Sequence, residues 1–141
     1  MKKNHDNRKM QVSWIMSRPV EAVRMKDPLQ EVAFLFTEKN IGAAAVLDEN
    51  KKPVGVITKT DLARYNNKVD EEDAVEHWMT PVIFSVKPET SIKEIARRMV
   101  KYGVHHIFVR GSDGEPIVGV VSSFDILKHV ASQEVGVHDR T

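Results

Sequence analysis

The stretch Gly55-Val56-Ile57-Thr58-Lys59-Thr60-Asp61 reads as a short strand running into the start of a helix, and the pattern returns as Gly119-Val120-Val121-Ser122-Ser123-Phe124-Asp125. Each copy has a glycine, two apolar residues, a hydroxyl residue, two variable positions and an aspartate. The likeness extends outward on both sides. A shift of 63 positions aligns Met16 with Met79, Val23 with Val86, Glu31 with Glu94, Ala33 with Ala96, Val46 with Val109 and Pro53 with Pro116; after one inserted residue, a shift of 64 aligns Gly55 with Gly119 and Asp61 with Asp125. Self-similarity at a fixed spacing marks a repeat architecture. Two copies of one unit therefore fill most of the 141 residues.

Each copy carries the same series of elements. An extended segment (residues 20–25 and 82–86) precedes a helix whose apolar residues recur at i, i+3, i+4 and i+7: Leu29, Val32, Ala33 and Phe36 in one, Ile92, Ile95, Ala96 and Met99 in the other. Asp27-Pro28 supplies an N-cap and a first-turn proline, and Ser91 with Glu94 fits a capping box. Two apolar runs around a polar turn follow, 43–47 with 54–58 and 107–110 with 117–122, and read as hairpins. Each second strand flows into a short helix beginning near Thr60 or Phe124. The order is β-α-β-β-α, twice. A lone unit of about 60 residues covers its apolar sheet face poorly, so the two copies are expected to pack face to face. The fold class is mixed α/β (α+β). The expected division is a flexible tail over 1–13, a first repeat over 14–67, a polar linker over 68–77 with a helical lead-in over 74–79, a second repeat over 78–131 and a tail over 132–141.

Composition narrows the function. Lys and Arg (21) nearly balance Asp and Glu (20), leaving +1, so no global field points to nucleic acid or an anionic membrane. The basic residues Lys2, Lys3, Arg8 and Lys9 are too few and too interrupted to change that. The chain has no cysteine, which excludes disulfide scaffolds, thiolate metal sites and cysteine nucleophiles and suits a reducing compartment. The first ten residues lack the apolar core of a signal peptide, and no apolar run reaches about 18 residues. The expected location is the cytoplasm. Nothing pairs a nucleophile with a base, and there is no phosphate-cradling Gly-rich loop with its lysine, so an enzyme is not expected.

The repeated strand-to-helix junction carries the chemistry. A glycine allows close backbone approach, a hydroxyl and free amides at a helix start suit a phosphate or ribose oxygen, and a carboxylate three residues on can accept from two ribose hydroxyls. The same residues are also good helix caps, with Thr58 and Ser122 starting helices that Asp61 and Asp125 close.

With its motif present twice, at matching places of a repeated β-α-β-β-α unit, the chain resembles the CBS family, and in particular the tandem pair called a Bateman module, over about residues 14–131. The resemblance implies a pseudo-twofold disc with two clefts between the copies, each suited to an adenosine compound such as AMP, ADP, ATP or S-adenosylmethionine. It implies that Asp61 and Asp125 hold ribose while Thr58 and Ser122 approach ribose or phosphate, with Lys59 and Ser123 beside them. Adenine is then expected near Val20, Ala45, Val82, Ile107 and Phe108. Ala45 and Phe108 stand where many members of that family have proline; Phe108 is bulky enough to fill the second pocket or to stack on the base. Val104-His105-His106 replaces Ile41-Gly42-Ala43 ahead of the second hairpin, and the likeness to members with a basic pair there suggests that His105 and His106 reach a phosphate. The plainer alternative is two histidines at a strand start.

Other features read as structural. The histidines lack metal-site spacing, so no metal is expected. Trp14 and Trp78 precede the repeated methionines and are expected to pack at the entrance of each copy. The leading expectation is a regulatory sensor of an adenosine compound that needs no resident cofactor, acting on an unidentified partner protein or through a homodimer. The rival is a ligand-independent dimerisation module whose motif aspartates are only caps.

Overall fold

The computed structural model describes residues 10–65, 73–112 and 115–133. The first repeat comprises β1 (Ala22–Arg24), α1 (Leu29–Lys39), β2 (Ala43–Leu47), β3 (Pro53–Thr58) and α2 (Lys59–Tyr65). The second comprises β4 (Ser85–Val86), α3 (Ile92–Tyr102), β5 (His106–Arg110), β6 (Ile117–Ser122) and α4 (Ser123–Ser132). Each forms a three-stranded sheet in sequence order, its first strand parallel and its third antiparallel to the middle one. A bulge falls at the same place in both hairpins, between Val46 and Leu47 and between Val109 and Arg110. The first strands are shorter than the sequence suggests, so Val20 and Val82 precede them.

Strand register corrects one alignment. Leu47 pairs with Pro53 and Arg110 pairs with Ile117, so Pro53 corresponds to Ile117 rather than to Pro116. The inserted residue lies in the second hairpin's turn.

The amphipathic helices bury the stripe that their spacing marks out: Leu29, Val32 and Phe36 on α1, Ile92, Ile95 and Met99 on α3. Both end on a left-handed residue, Asn40 (φ 54°) and Gly103 (φ 65°), which frees the chain to turn into the hairpin. Their starts differ from expectation. Pro28 itself is the cap residue of α1, and Asp27 instead accepts the Arg24 N–H at 2.9 Å to close the preceding turn. Ser91 Oγ accepts the Glu94 N–H at 3.1 Å, but the Glu94 carboxylate turns to Arg97 and Arg98, so only half a capping box forms.

Each repeat has its own core, and each core is completed by the chain segment that precedes the other repeat. Val75, fully buried in a 3₁₀ turn (Val75–His77), joins Val23, Leu29, Val32, Phe36, Ala44, Val46 and Ile57 of the first repeat. Val12, in the matching turn Val12–Trp14, joins Val86, Ile95, Met99, Ile107, Val109 and Val121 of the second. The backbone follows the same exchange. Val56 and Thr80 trade two hydrogen bonds of 2.9 Å, and Ser17 and Val120 trade two of 2.8 and 3.1 Å. Burying a valine side chain contributes roughly 1.5–3 kcal/mol, so each arm anchors the repeat it visits.

Four expectations change, the first three because of this exchange. The tail assigned to 1–13 does not extend to Val12, which has no exposed surface. The end of the linker assigned to 68–77 is core, although 66–72 lie outside the described residues. Trp78 packs against the first core rather than its own copy, while Trp14 is 60% exposed. The tail assigned to 132–141 begins within α4, at Ser132, and from residue 134 onward lies outside the described residues.

Candidate functional site

The two junctions have the same internal geometry. In the first, Asp61 Oδ2 accepts from the Thr58 backbone N–H at 2.9 Å and from its hydroxyl at 3.0 Å, while Thr58 Oγ1 accepts the Asp61 N–H at 3.2 Å. In the second, Asp125 Oδ2 accepts the Ser122 N–H at 2.8 Å and Ser122 Oγ accepts the Asp125 N–H at 3.1 Å, a reciprocal capping box. One carboxylate oxygen of each aspartate is thus committed to starting its helix. The other, Oδ1, meets among the described residues only a cation one turn on: Arg64 Nη1 at 3.4 Å and Lys128 Nζ at 3.7 Å. Both cations are largely exposed, and such pairs contribute little, so Oδ1 is the atom each site can offer to a ligand.

The motif glycines make room for a crossing segment. A Cβ on Gly55 would stand 2.6 Å from the Thr80 carbonyl and 2.9 Å from Met79 Sδ, and one on Gly119 would meet Met16. The repeated methionines therefore cover the glycine of the opposite repeat.

Backbone bonds tie each helix start to the head of its hairpin. Lys59 N–H donates to Gly42 at 3.0 Å and Ser123 N–H donates to His105 at 2.9 Å. The two repeats meet at Gly42, where His106 Nε2 and Lys59 Cδ lie 3.2 and 3.6 Å from the position a Cβ would take. Burial there pushes the His106 imidazole below its ordinary value of 6.5; the neighbouring His105 and Lys59 charges push the same way and Asp125 opposes them. His106 is therefore neutral near pH 7, in a cluster that joins Lys59 of one repeat to His105, His106 and Asp125 of the other.

The family model for the CBS domain matches residues 12–68 and again 75–132. The chain belongs to the CBS domain family. The matched segments begin at the exchanged 3₁₀ turns, so each CBS unit of sequence starts with the arm that its neighbour buries. An uncharacterised protein of Methanocaldococcus jannaschii is 27% identical over 128 residues, covering 90% of this chain. The chain spans 45% of that relative's length. Among solved structures, the CBS domain pair of protein MJ0100, in complex with 5′-methylthioadenosine and S-adenosyl-L-methionine, superposes with a TM-score of 0.80 at 26% identity, covering 89% of this chain and 98% of that one. The CBS domain protein PAE2072 from Pyrobaculum aerophilum, complexed with AMP, shares the fold at a TM-score of 0.75 and 22% identity, with 88% and 100% covered.

The other expected site residues of this CBS pair divide. Phe108 and Ile107 face opposite ways: Ile107 joins the second core beneath the helices, whereas Phe108 lies outside that cluster; each is 1% exposed. Ala45, which holds in the first repeat the position of Phe108 in the second, is 2% exposed. Val82 is 48% exposed ahead of β4, and Val20 is half-buried. Sequence reasoning missed Gly42, which only the contact between repeats reveals, and the cations Arg64 and Lys128, which the i, i+3 spacing from each aspartate could have shown. Among the described residues, no group of three His, Asp or Glu side chains could hold a metal ion, and no helix is long and apolar enough to cross a membrane.

Proposed function

We propose that this CBS pair is a regulatory module that binds an adenosine compound, such as AMP, ADP, ATP or S-adenosylmethionine, between its repeats. The observation that carries the reading is the pair of matching junctions, each holding an aspartate by one oxygen and presenting the other beside a weakly held surface cation. Ribose hydroxyls would donate to Oδ1 of Asp61 or Asp125, with Thr58, Ser122 and Ser123 alongside. Lys59, His105 and His106 would meet a phosphate, whose charge would pull His106 back toward its protonated form. Ala45, Val20 and Val82 are candidates for the base. The complex of the MJ0100 CBS pair with two adenosine compounds supports the ligand class.

Binding would be read out by a partner protein or a second copy of the chain, in the cytoplasm. α4 has no buried residue, and Phe124, Leu127 and Val130 on it are 61, 58 and 55% exposed, which supports a homodimer. A ligand acts on such an assembly only by binding its states unequally.

The complete capping boxes favour a second reading, a ligand-independent dimerisation module. Thermal unfolding with AMP, ADP, ATP and S-adenosylmethionine separates the two. A ligand at about 100 times its dissociation constant adds about 2.7 kcal/mol. Asp61→Asn or Asp125→Asn should abolish that shift while retaining one cap acceptor. A stabilisation unchanged in both variants, or absent with every compound, favours the dimerisation module.

A further inference from the structure

We propose a second ligand site, outside the adenosine reading, that takes a phosphate group at the far end of the second sheet. A cavity of about 650 Å³ opens where β4 and β5 end, lined by Ser85, Lys87, Thr90, Arg98, Arg110 and Ser112. None of the junction residues lines it. Among the described residues, three cations and one acid, Glu89, line it, and the Glu115 carboxylate borders it by accepting the Ser112 N–H at 3.1 Å, so positive charge predominates.

The cations keep donors to spare. Arg110 Nε donates to the Ser85 hydroxyl at 3.2 Å, which fixes the plane of its guanidinium, and among the described residues no carboxylate pairs with it. Arg98 uses Nε on Glu94 at 2.7 Å, leaving its terminal nitrogens, and Arg97 shares the same carboxylate. The carboxyl of Glu94 is held below the usual range by the bonds from Arg98 and then Arg97, so it stays an anion that braces Arg98 near neutral pH. Two guanidiniums braced by other side chains, a lysine and three hydroxyls form a donor set that suits a tetrahedral oxyanion. The volume fits a small phosphorylated molecule.

The first repeat provides an internal control. By register and spacing its residues at the positions of Ser85, Arg98 and Arg110 are Ala22, Leu35 and Leu47, and the turn after Leu47 is closed by Asp48, which accepts from Asn50 and Lys52. The polar pocket is thus built at three positions where the shared fold is satisfied by apolar side chains.

Titration of the ¹⁵N-labelled chain with inorganic phosphate and, separately, glycerol phosphate tests the site, with chloride at matched ionic strength as reference. Expected are saturable shifts of the Arg98 and Arg110 Nε–H signals and of the Lys87 and Ser112 amides. Arg98→Leu with Arg110→Leu, which copies the first repeat, should weaken binding by at least about tenfold. The two junction Asp→Asn variants should leave it within about twofold. Tighter binding of the ester assigns an organic phosphate, and equal binding assigns free phosphate. Shifts that never saturate, that chloride reproduces, or that fall only on His105 and His106 overturn the proposal. Adenosine-compound binding can fail without affecting this result, and the reverse holds.

Discussion

The two repeats share element order, register and even a bulge, yet their candidate sites differ at several corresponding positions. Gly42 and Ala43 correspond to His105 and His106, Ala45 to Phe108, and Leu35 and Leu47 to Arg98 and Arg110. The residues of the helix-facing cores stay apolar in both: Val23 and Val86, Val46 and Val109, Ile57 and Val121. Close packing under the helices leaves little room for change. The opposite sheet face and the sheet ends carry the divergence, and the second repeat holds more aromatic, imidazole and guanidinium groups there.

The sharpest break would come at Phe108. Truncating a fully buried phenylalanine typically costs about 3–5 kcal/mol, so Phe108→Ala, which brings the second repeat close to Ala45 of the first, should lower the urea midpoint strongly. A loss under about 1 kcal/mol would mean that this face is loosely packed and that the contrast with Ala45 has little energetic content. Adenosine-compound binding measured in the same variant reports whether Phe108 blocks a cleft.

Next in size is the contrast between the motif glycines. An alanine at Gly55 meets a backbone carbonyl, which cannot swing away, whereas one at Gly119 meets the flexible Met16 side chain. Overpacking costs about 1–3 kcal/mol; Gly55→Ala should fall near the top of that range and Gly119→Ala near the bottom. Equal losses would show that the two arms are held alike.

The smallest effect is a pH dependence with a defined sign. Burial lowers the folded-state pKa of His106 below 6.5, so the unfolded chain binds a proton first as the pH falls. Its contribution is fully favourable above 6.5 and is lost progressively below it. Thermal midpoints should drop between about pH 7.5 and about pH 5.5, and His106→Asn should flatten that slope. An unchanged slope would place His106 in water rather than against Gly42.

Much of this was legible in the residues. Period-3.6 stripes located α1 and α3 because the apolar spacing is local, and the hairpins followed from apolar runs around polar turns. The aspartate and hydroxyl of each junction were found as a pair, but their capping role and their ligand role demand the same residue types, so sequence could not separate them. Which of Ile107 and Phe108 faces the helices was not legible, because a one-residue step along a strand reverses the face, and the strand's orientation depends on what covers it.

By itself, the sequence determined the repeat, its element order and the junction motif, because each depends on spacing within some ten residues or on comparison of one copy with the other. Only the tertiary structure decided which copy each arm completes. Val12 and Val75 are apolar in either arrangement, and nothing local distinguishes a valine buried in its own repeat from one buried in its neighbour. The glycines Gly55 and Gly119 likewise owe their role to a crossing segment more than twenty residues away in sequence, where the limiting quantity is the space a Cβ would take.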